Sequence, residues 1–309
     1  MERPVRLRRS VLSVPGNRER MIEKALGLPA DVVMLDCEDS VPLAEKDEAR
    51  GRVAAALVGK DWGGRVRAVR VNGMDTPFCY RDIVEVVERA GARLDVIVLP
   101  KVCEPCEVRA VDLLLSQIEA RVGLPVGRIG IEAGIETAEG MLRAGEIAFA
   151  SRRLEALVFG IADYSASLRM MVKGVSGHGD AEEFFGGDRF HHALATIAVA
   201  ARAAGLSAID APFGDFRDPA GLRRSALRAA GLGFDGKWVI HPDQIGVVNE
   251  VFTPDPEDVA RMRRVIEAAE EARRAGLGSV SLDGKMVDGA TVRLARSVCA
   301  RADLLAGRT

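Results

Sequence analysis

The sequence predicts an α/β protein, a (β/α)8 barrel followed by a C-terminal helical extension. Short runs rich in β-branched residues and leucine alternate with amphipathic, helix-length segments along the chain. Most of the short runs are apolar throughout, as in parallel strands that are covered by helices. Eight strand–helix units follow one another without a break in composition, which favours a single closed barrel. An open, doubly wound sheet is the alternative, because a sequence does not show closure.

The strands and helices of the barrel are assigned in order along the chain. The predicted strands are Val11–Val14, Val32–Leu35, Val66–Val71, Val96–Leu99, Ile129–Ile131, Ala156–Phe159, Ser207–Asp210 and Lys237–Ile240. Between them, apolar residues recur at spacings of three and four, which predicts helices. These helices are Arg20–Leu28, Ala44–Leu57, Ile83–Ala90, Val108–Val122, His191–Ala204 and Ala220–Ala230. With a last helix at Gln244–Val251, they predict a catalytic barrel domain over residues 1–253.

Residues 254–309 differ from the barrel in character. We predict a charged helix at Glu257–Ala275, a glycine-containing loop at Gly276–Gly289 and a second helix at Ala290–Leu305. A segment of this size is too short to be a catalytic domain of its own. We expect it to pack on the barrel or to reach a neighbouring subunit.

Composition and charge exclude several classes of protein. Among 309 residues, 43 Lys and Arg nearly balance 45 Asp and Glu, which argues against a nucleic-acid partner. No apolar run reaches the roughly 18 residues of a membrane span, and the basic start of the chain lacks the apolar stretch of a secretory signal. Five cysteines, an odd number, argue against a disulfide framework. We therefore expect a protein of the reducing cytoplasm, with no membrane partner.

Polar side chains gather where the predicted strands end, which is where barrel enzymes carry their chemistry. They are Arg18, Asp36, Glu38, Asp39, Arg70, Asn72, Lys101, Glu132, Glu136, Asp163, Asp210 and His241. Two or three carboxylates with open valence suit Mg²⁺, and the two strand-end cations, Arg70 and Lys101, suit an anionic substrate or enolate. The alternative is that these residues are helix caps and salt bridges; Glu136, for example, would then cap the helix that follows it.

At the same positions, the chain is similar to the citrate lyase β-subunit and malyl-CoA lyase family of CoA-thioester lyases, within the HpcH/HpaI aldolases. The resemblance covers nearly the whole chain. It rests on RSVLSVPGN at 9–17, ADVVMLDCEDSVPLAEKDEAR at 30–50, VRVNGMDTP at 69–77, VIVLPKV at 96–102, IET at 135–137, FGIADYSASLRM at 159–170, IDAPFGDFRD at 209–218, GFDGKWVIHPDQIGVVNEVFTP at 233–254 and GKMVD at 284–288. The blocks ADYSASLRM, APFGDF and GKWVIHP favour the malyl-CoA and β-methylmalyl-CoA lyase branch.

The resemblance implies roles for individual residues. The family's magnesium ligands match Glu136 and Asp163, and its arginine that binds substrate and stabilises the enolate matches Arg70. Its catalytic aspartate, supplied by the C-terminal segment of an adjacent chain, matches Asp288. The residues matched to the family's CoA contacts are Arg18, Lys24 and the backbone at Ile240 and His241, and those matched to the surroundings of the metal are Glu38, Asp39 and Lys101.

The expected activity is a reversible carbon–carbon cleavage of a 3-hydroxyacyl-CoA, namely malyl-CoA, β-methylmalyl-CoA or citramalyl-CoA. The products are a 2-oxo acid, glyoxylate or pyruvate, and acetyl-CoA or propionyl-CoA. Mg²⁺ is the expected cofactor, with Mn²⁺ as the alternative ion, and the expected assembly is a homotrimer or homohexamer. A malyl-CoA thioesterase and a citrate lyase β-subunit that acts on an acyl-carrier-protein thioester are the alternative functions. The insertion at 171–188 is shorter and less aromatic than in typical malyl-CoA lyases, which leaves the acyl group open.

Overall fold

The computed structural model describes residues 4–171 and 188–307. Nearly all of the insertion at 171–188 therefore lies outside the described residues. The chain divides into two compact units, Met1–Glu250 and Val251–Thr309. Within the described residues, none of the helices combines the length and the apolar character that a bilayer crossing requires.

The first unit is a closed barrel of eight parallel strands, arranged in the order in which they occur in the chain. The strands are β1 (Ser10–Pro15), β2 (Val32–Asp36), β3 (Val66–Arg70), β4 (Val96–Leu99), β5 (Gly130–Ile135), β6 (Leu154–Phe159), β7 (Ser207–Asp210) and β8 (Gly236–Val239). β1 pairs with β2 on one side and with β8 on the other, which closes the sheet. The predicted (β/α)8 barrel is thus confirmed, and the open sheet is excluded.

Helices surround this barrel. They are α1 (Glu19–Leu26), α2 (Lys46–Gly59), α3 (Cys79–Ala90), α4 (Pro105–Arg121), α5 (Ala138–Leu142), α6 (Ala144–Ala148), α7 (Ile161–Ser167), α8 (His191–Ala203), α9 (Pro219–Gly231) and α10 (Pro242–Val251). Several start at sequence signals that fix their first turn. α4 carries a reciprocal capping box between Glu104 and Glu107, and α9 begins with a proline after the capping residue Asp218.

Alternation along the strands decides which side chains fill the barrel. Because successive strand residues point to opposite faces, every second residue faces the interior. The buried interior cluster consists of Val11, Val32, Met34, Val66, Ala68, Val96, Val98, Ala156, Val158 and Ile209, with Trp238 packed against it. The next interior positions towards the carboxyl ends of the strands carry the polar residues of the candidate site.

The second unit contains two helices and a β-hairpin. The helices are α11 (Pro256–Arg274) and α12 (Gly289–Ala306), and the antiparallel hairpin joins β9 (Val280–Leu282) to β10 (Lys285–Val287). Our prediction of a loop over Gly276–Gly289 was wrong for the hairpin. Its two turn residues, Asp283 and Gly284, both have positive φ, 51° and 74°, as a type I′ hairpin turn requires.

Candidate active site

The interior polar layer opens into a cavity of about 210 Å³ at the carboxyl ends of the strands. Arg70, Glu136 and Asp163 line it, together with Asp39 and Ile240. Five of the sequence-predicted site residues therefore face one space in the first unit. Apolar groups from Val98, Pro100, Val158, Phe159, Ile161, Pro212 and Trp238 complete its wall.

Glu136 follows β5 and is almost completely buried, with 7% of its surface exposed. Its Oε1 accepts a hydrogen bond of 2.6 Å from the backbone N–H of Lys101. Burial raises the pKa of this carboxyl group; Arg70 and the Lys101 N–H act in the opposite direction, while the negative charge of Asp163 raises the pKa further. A further positive charge in the cavity would therefore stabilise the ionised form of Glu136.

Lys101 contacts carboxylates of the site through both its backbone N–H and its side chain. Its φ of 52° lies in the left-handed region, which costs a residue with a side chain roughly 1–2 kcal/mol. This conformation accompanies the hydrogen bond from its N–H to Glu136. Its ammonium group donates to Glu38 and lies 3.4 Å from Asp39 Oδ1 and 3.9 Å from Asp163 Oδ1. Strain of this kind is commonly stored at functional sites.

Arg70, the last residue of β3, is fixed by a bidentate pair with Asp36 of β2. Its Nε and Nη2 donate to Asp36 Oδ1 and Oδ2, both at 2.7 Å. Its Nη1 lies 2.8 Å from Glu38 Oε2, and its guanidinium stands 5.5 Å from the ring centre of Trp238. Burial acts to lower the pKa of Arg70, but these carboxylates outweigh it and raise the pKa. The guanidinium therefore stays charged and is presented to the cavity at a fixed angle.

Glu38 joins the two cations of the site. One carboxylate oxygen accepts from Lys101 and the other faces Arg70, although the latter contact lacks hydrogen-bond geometry. Burial outweighs both cations and raises the pKa of Glu38 to about 7. Asp39 is more exposed and stands 3.6 Å from Arg70. These two acids thus border the cations Arg70 and Lys101.

The chemistry of Glu136 and Asp163, two carboxylates that line one cavity, suits a divalent cation. Asp163 lies on α7, directly after β6, and its side chain is 40% exposed. Both carboxylates line the same cavity, and Asp163 raises the pKa of Glu136, so the two groups repel each other there. Within the described residues, no group of three or more His, Cys, Asp or Glu side chains is arranged for a metal ion. A pair of carboxylates that leaves other positions to water and substrate oxygens is what Mg²⁺ prefers.

The residues predicted to contact CoA lie at two places in the first unit. Arg18 precedes α1 and Lys24 lies in its last turn, and both side chains are exposed. Ile240 and His241 follow β8, and their backbone N–H groups donate to Gln244 Oε1 at 2.9 Å and 3.3 Å. The His241 ring stacks on Phe216 at 4.6 Å, so it is held in place.

Asp288 lies in the second unit, where it caps α12. Its Oδ1 accepts from both the N–H and the hydroxyl of Thr291, each at 2.9 Å. These hydrogen bonds lower the pKa of Asp288. The carboxylate is half-buried, and the lowered pKa keeps it ionised at neutral pH.

Two strand-end acids that we expected at the carboxyl ends of the strands lie elsewhere. Glu132 is the third residue of β5, a strand longer than predicted, and its side chain binds Arg8 at 2.7 Å near the amino-terminal end of the barrel. Asp210 points outward, because the residue before it in β7 faces the interior. It pairs with the buried Lys237 of β8, which also donates to Ser225 of α9. Neither acid lines the cavity described above.

The structure also adds residues that sequence reasoning missed. Trp238 forms part of the cavity wall, and Gly134 and Gly160 flank Glu136. The alternation of strand residues could have placed Trp238 on the interior face. The contacts of the two glycines join neighbouring strands, so no local sequence pattern predicts them. The five cysteines are free, including the closely spaced Cys103 and Cys106.

A family model described as HpcH/HpaI aldolase/citrate lyase matches residues 9–242. The chain belongs to this family. It is 42% identical to the L-malyl-CoA/beta-methylmalyl-CoA lyase of Rhodobacter capsulatus, over 97% of this chain and 96% of that protein. It is also 40% identical to the citrate lyase subunit beta of Escherichia coli K12, over 98% and 96%. Both the family resemblance and the assignment to the carbon–carbon lyases are confirmed.

Among solved structures, the chain is similar to the protein CitE from Mycobacterium tuberculosis in complex with magnesium, acetoacetate and coenzyme A. The TM-score is 0.73 at 30% identity, with 95% of this chain and 97% of that chain covered. That protein thus holds magnesium, acetoacetate and coenzyme A together.

Proposed function

We propose that the protein reversibly cleaves a 3-hydroxyacyl-CoA, namely malyl-CoA, β-methylmalyl-CoA or citramalyl-CoA. The products are glyoxylate or pyruvate and acetyl-CoA or propionyl-CoA. The observation that carries the proposal is the single cavity lined by Arg70, Glu136 and Asp163, which provides a fixed cation beside two carboxylates. The identity to a malyl-CoA/beta-methylmalyl-CoA lyase supports this range of substrates.

In this proposal Glu136 and Asp163 hold Mg²⁺, or alternatively Mn²⁺. When bound, the ion supplies Lewis-acid polarisation of the oxo acid. Lys101 fixes the orientation of Glu136 through its N–H, and its ammonium group partly balances the charge of Asp163. Glu38 and Asp39 hold Lys101 and Arg70 in place from the other side.

Proton transfer and charge stabilisation fall to two further residues. In the condensing direction, Asp288 removes a proton from the carbon next to the thioester carbonyl. Arg70 donates hydrogen bonds to the enolate oxygen that forms, and the enolate carbon then attacks the carbonyl carbon of the oxo acid. The alkoxide that results takes up a proton from solvent, and Asp288 releases the proton that it removed. In the cleaving direction the same groups act in reverse, and Asp288 returns the proton. A carboxylate with a lowered pKa is ionised at neutral pH, as this role requires.

The remaining predicted residues bind the carrier part of the substrate. We propose that Arg18 and Lys24 meet the phosphates of CoA, while the backbone at Ile240 and His241 lies along the same ligand. Residues 254–309 would complete the active site of a neighbouring subunit in a homotrimer or homohexamer, with Asp288 as the contributed residue. We propose a cytoplasmic location, which the five free cysteines support.

The test is condensation by the purified chain. The protein and Mg²⁺ are incubated with glyoxylate or pyruvate, each with acetyl-CoA or propionyl-CoA, and the products are identified by mass spectrometry. We expect a 3-hydroxyacyl-CoA from at least one pair, loss of activity after chelation, and recovery when Mg²⁺ is added back. Full activity in chelator-treated protein would contradict the metal assignment.

Two other functions use the same site. A malyl-CoA thioesterase would release free CoA and free malate, so measuring free CoA against released oxo acid separates it from a lyase. The 40% identity to a citrate lyase subunit beta favours the second, an acyl-carrier-protein thioester as substrate. Activity of the chain alone on malyl-CoA would decide against that reading, while activity only with a carrier-protein thioester would support it.

A further inference from the structure

Glu136 lies against two glycines that leave no space for a side chain. A Cβ atom built on Gly160 would stand 2.0 Å from Glu136 Oε2 and 2.4 Å from Glu136 Cβ. One built on Gly134 would stand 2.7 Å from Glu136 Oε1 and 3.3 Å from the Cα of Pro100. Neither glycine has the positive φ that would itself demand glycine. Their lack of a side chain is therefore explained by the space that Glu136 occupies.

The two glycines approach the carboxylate from different sides. Gly134 lies on β5, two residues before Glu136, and Gly160 directly follows β6. A third contact, the hydrogen bond from the Lys101 N–H to Oε1, comes from the segment after β4. Three neighbouring strands thus confine one buried carboxylate through backbone atoms alone. Confinement of this kind removes rotamer freedom before a ligand binds.

We infer that Gly134 and Gly160 are positioning residues for the metal-ligand role of Glu136, an inference that rests on the proposed function. Their backbones restrict the carboxylate to an orientation in which it lines the cavity with Asp163 and would share a cation with it. A methyl group at either position displaces Glu136 without changing any charge in the cavity.

The experiment measures binding of Mn²⁺, the paramagnetic stand-in for Mg²⁺, from the loss of its free electron-paramagnetic-resonance signal, without substrate. Gly134→Ala is the main variant, because its closest contact is with the end of the Glu136 side chain, which rotation of the carboxylate relieves. Its contact with Pro100 Cα, at 3.3 Å, requires a shift of only a few tenths of an ångström. Gly160→Ala is the more severe variant, because its contact with the Glu136 Cβ requires backbone movement. The matched control is Gly246→Ala on α10, where an added Cβ meets no atom within 4 Å.

We expect Mn²⁺ binding to weaken at least tenfold in Gly134→Ala and Gly160→Ala and to remain unchanged in Gly246→Ala. Circular dichroism and thermal unfolding check that each variant is folded. A Glu136→Ala variant separates a failure of the metal assignment from a failure of the positioning role. If Glu136→Ala binds Mn²⁺ as well as the unaltered protein, the metal assignment fails. If Glu136→Ala loses the ion while a folded Gly134→Ala keeps its affinity within threefold, only the positioning role is refuted.

Discussion

Replacing Arg70 with lysine separates the shape of the guanidinium from its positive charge. In the structure two N–H groups of Arg70 donate hydrogen bonds to Asp36, at 2.7 Å each, and a third faces Glu38. A lysine keeps the charge but loses the planar fork that allows a bidentate pair. The ammonium group is therefore held at a different angle and donates in fewer directions.

The expected effects differ between turnover and stability. Loss of one well-placed donor to a developing oxyanion lowers kcat about 10²–10³-fold. Loss of one hydrogen bond to the charged Asp36 lowers the free energy of unfolding by about 1.5–3 kcal/mol. Condensation of glyoxylate with acetyl-CoA measures the first quantity, and urea denaturation measures the second.

The same strand provides a matched control. Arg67 also lies on β3 and also forms a bidentate pair, with Asp95 at 2.8 Å and 3.0 Å, near the amino-terminal end of the barrel. Arg67→Lys should lower stability by a similar amount and leave kcat per folded molecule within about twofold. Equal losses of kcat in both variants would show that β3 transmits a general distortion, and the charge-stabilising role of Arg70 would then be abandoned.

Three further perturbations test other parts of the molecule. Asp288→Asn should lose turnover while it retains acyl-CoA binding in calorimetry; near-normal turnover would remove this residue from the mechanism. Lys237→Met leaves Asp210 buried without its cation and should lower the free energy of unfolding by about 3–5 kcal/mol, with kcat per folded molecule unchanged. A loss below about 1 kcal/mol in urea denaturation would argue that the ion pair is not isolated from water. Burial acts to raise the pKa of Asp95, but the hydrogen bonds and charge of Arg67 hold this pKa below its ordinary value. The ionised Asp95 therefore stabilises the fold at any pH above its ordinary pKa, and this contribution is lost as the pH falls through the lowered pKa. Asp95→Asn should flatten the acid limb of stability against pH, and an unchanged limb would refute the linkage.

The positions of Glu136 and Asp163 were predictable because strand ends can be read from the sequence. Each acid follows a short apolar run, and parallel strands bring their carboxyl ends to one edge of a barrel. The hairpin turn at Asp283 and Gly284 could also have been predicted, since Asp-Gly between two short runs is a strong local signal. Here the information lay within a few neighbouring residues.

The directions of Glu132 and Asp210 were not predictable in the same way. Both lie on strands, but a strand boundary misplaced by a few residues moves a side chain to another layer of the barrel. β5 runs on to Ile135, which moves Glu132 away from the end of the strand and one interior layer below Gly134. Asp210 faces the helices because the interior position beside it belongs to Ile209.

By itself the sequence determined the order of strands and helices, the family and the acids at the strand ends, because periodicity and motifs are local properties. Only the tertiary structure decided that Arg70 is locked by Asp36 and that Gly134 and Gly160 enclose Glu136. Those contacts join residues on different strands, and their distances depend on how the barrel closes.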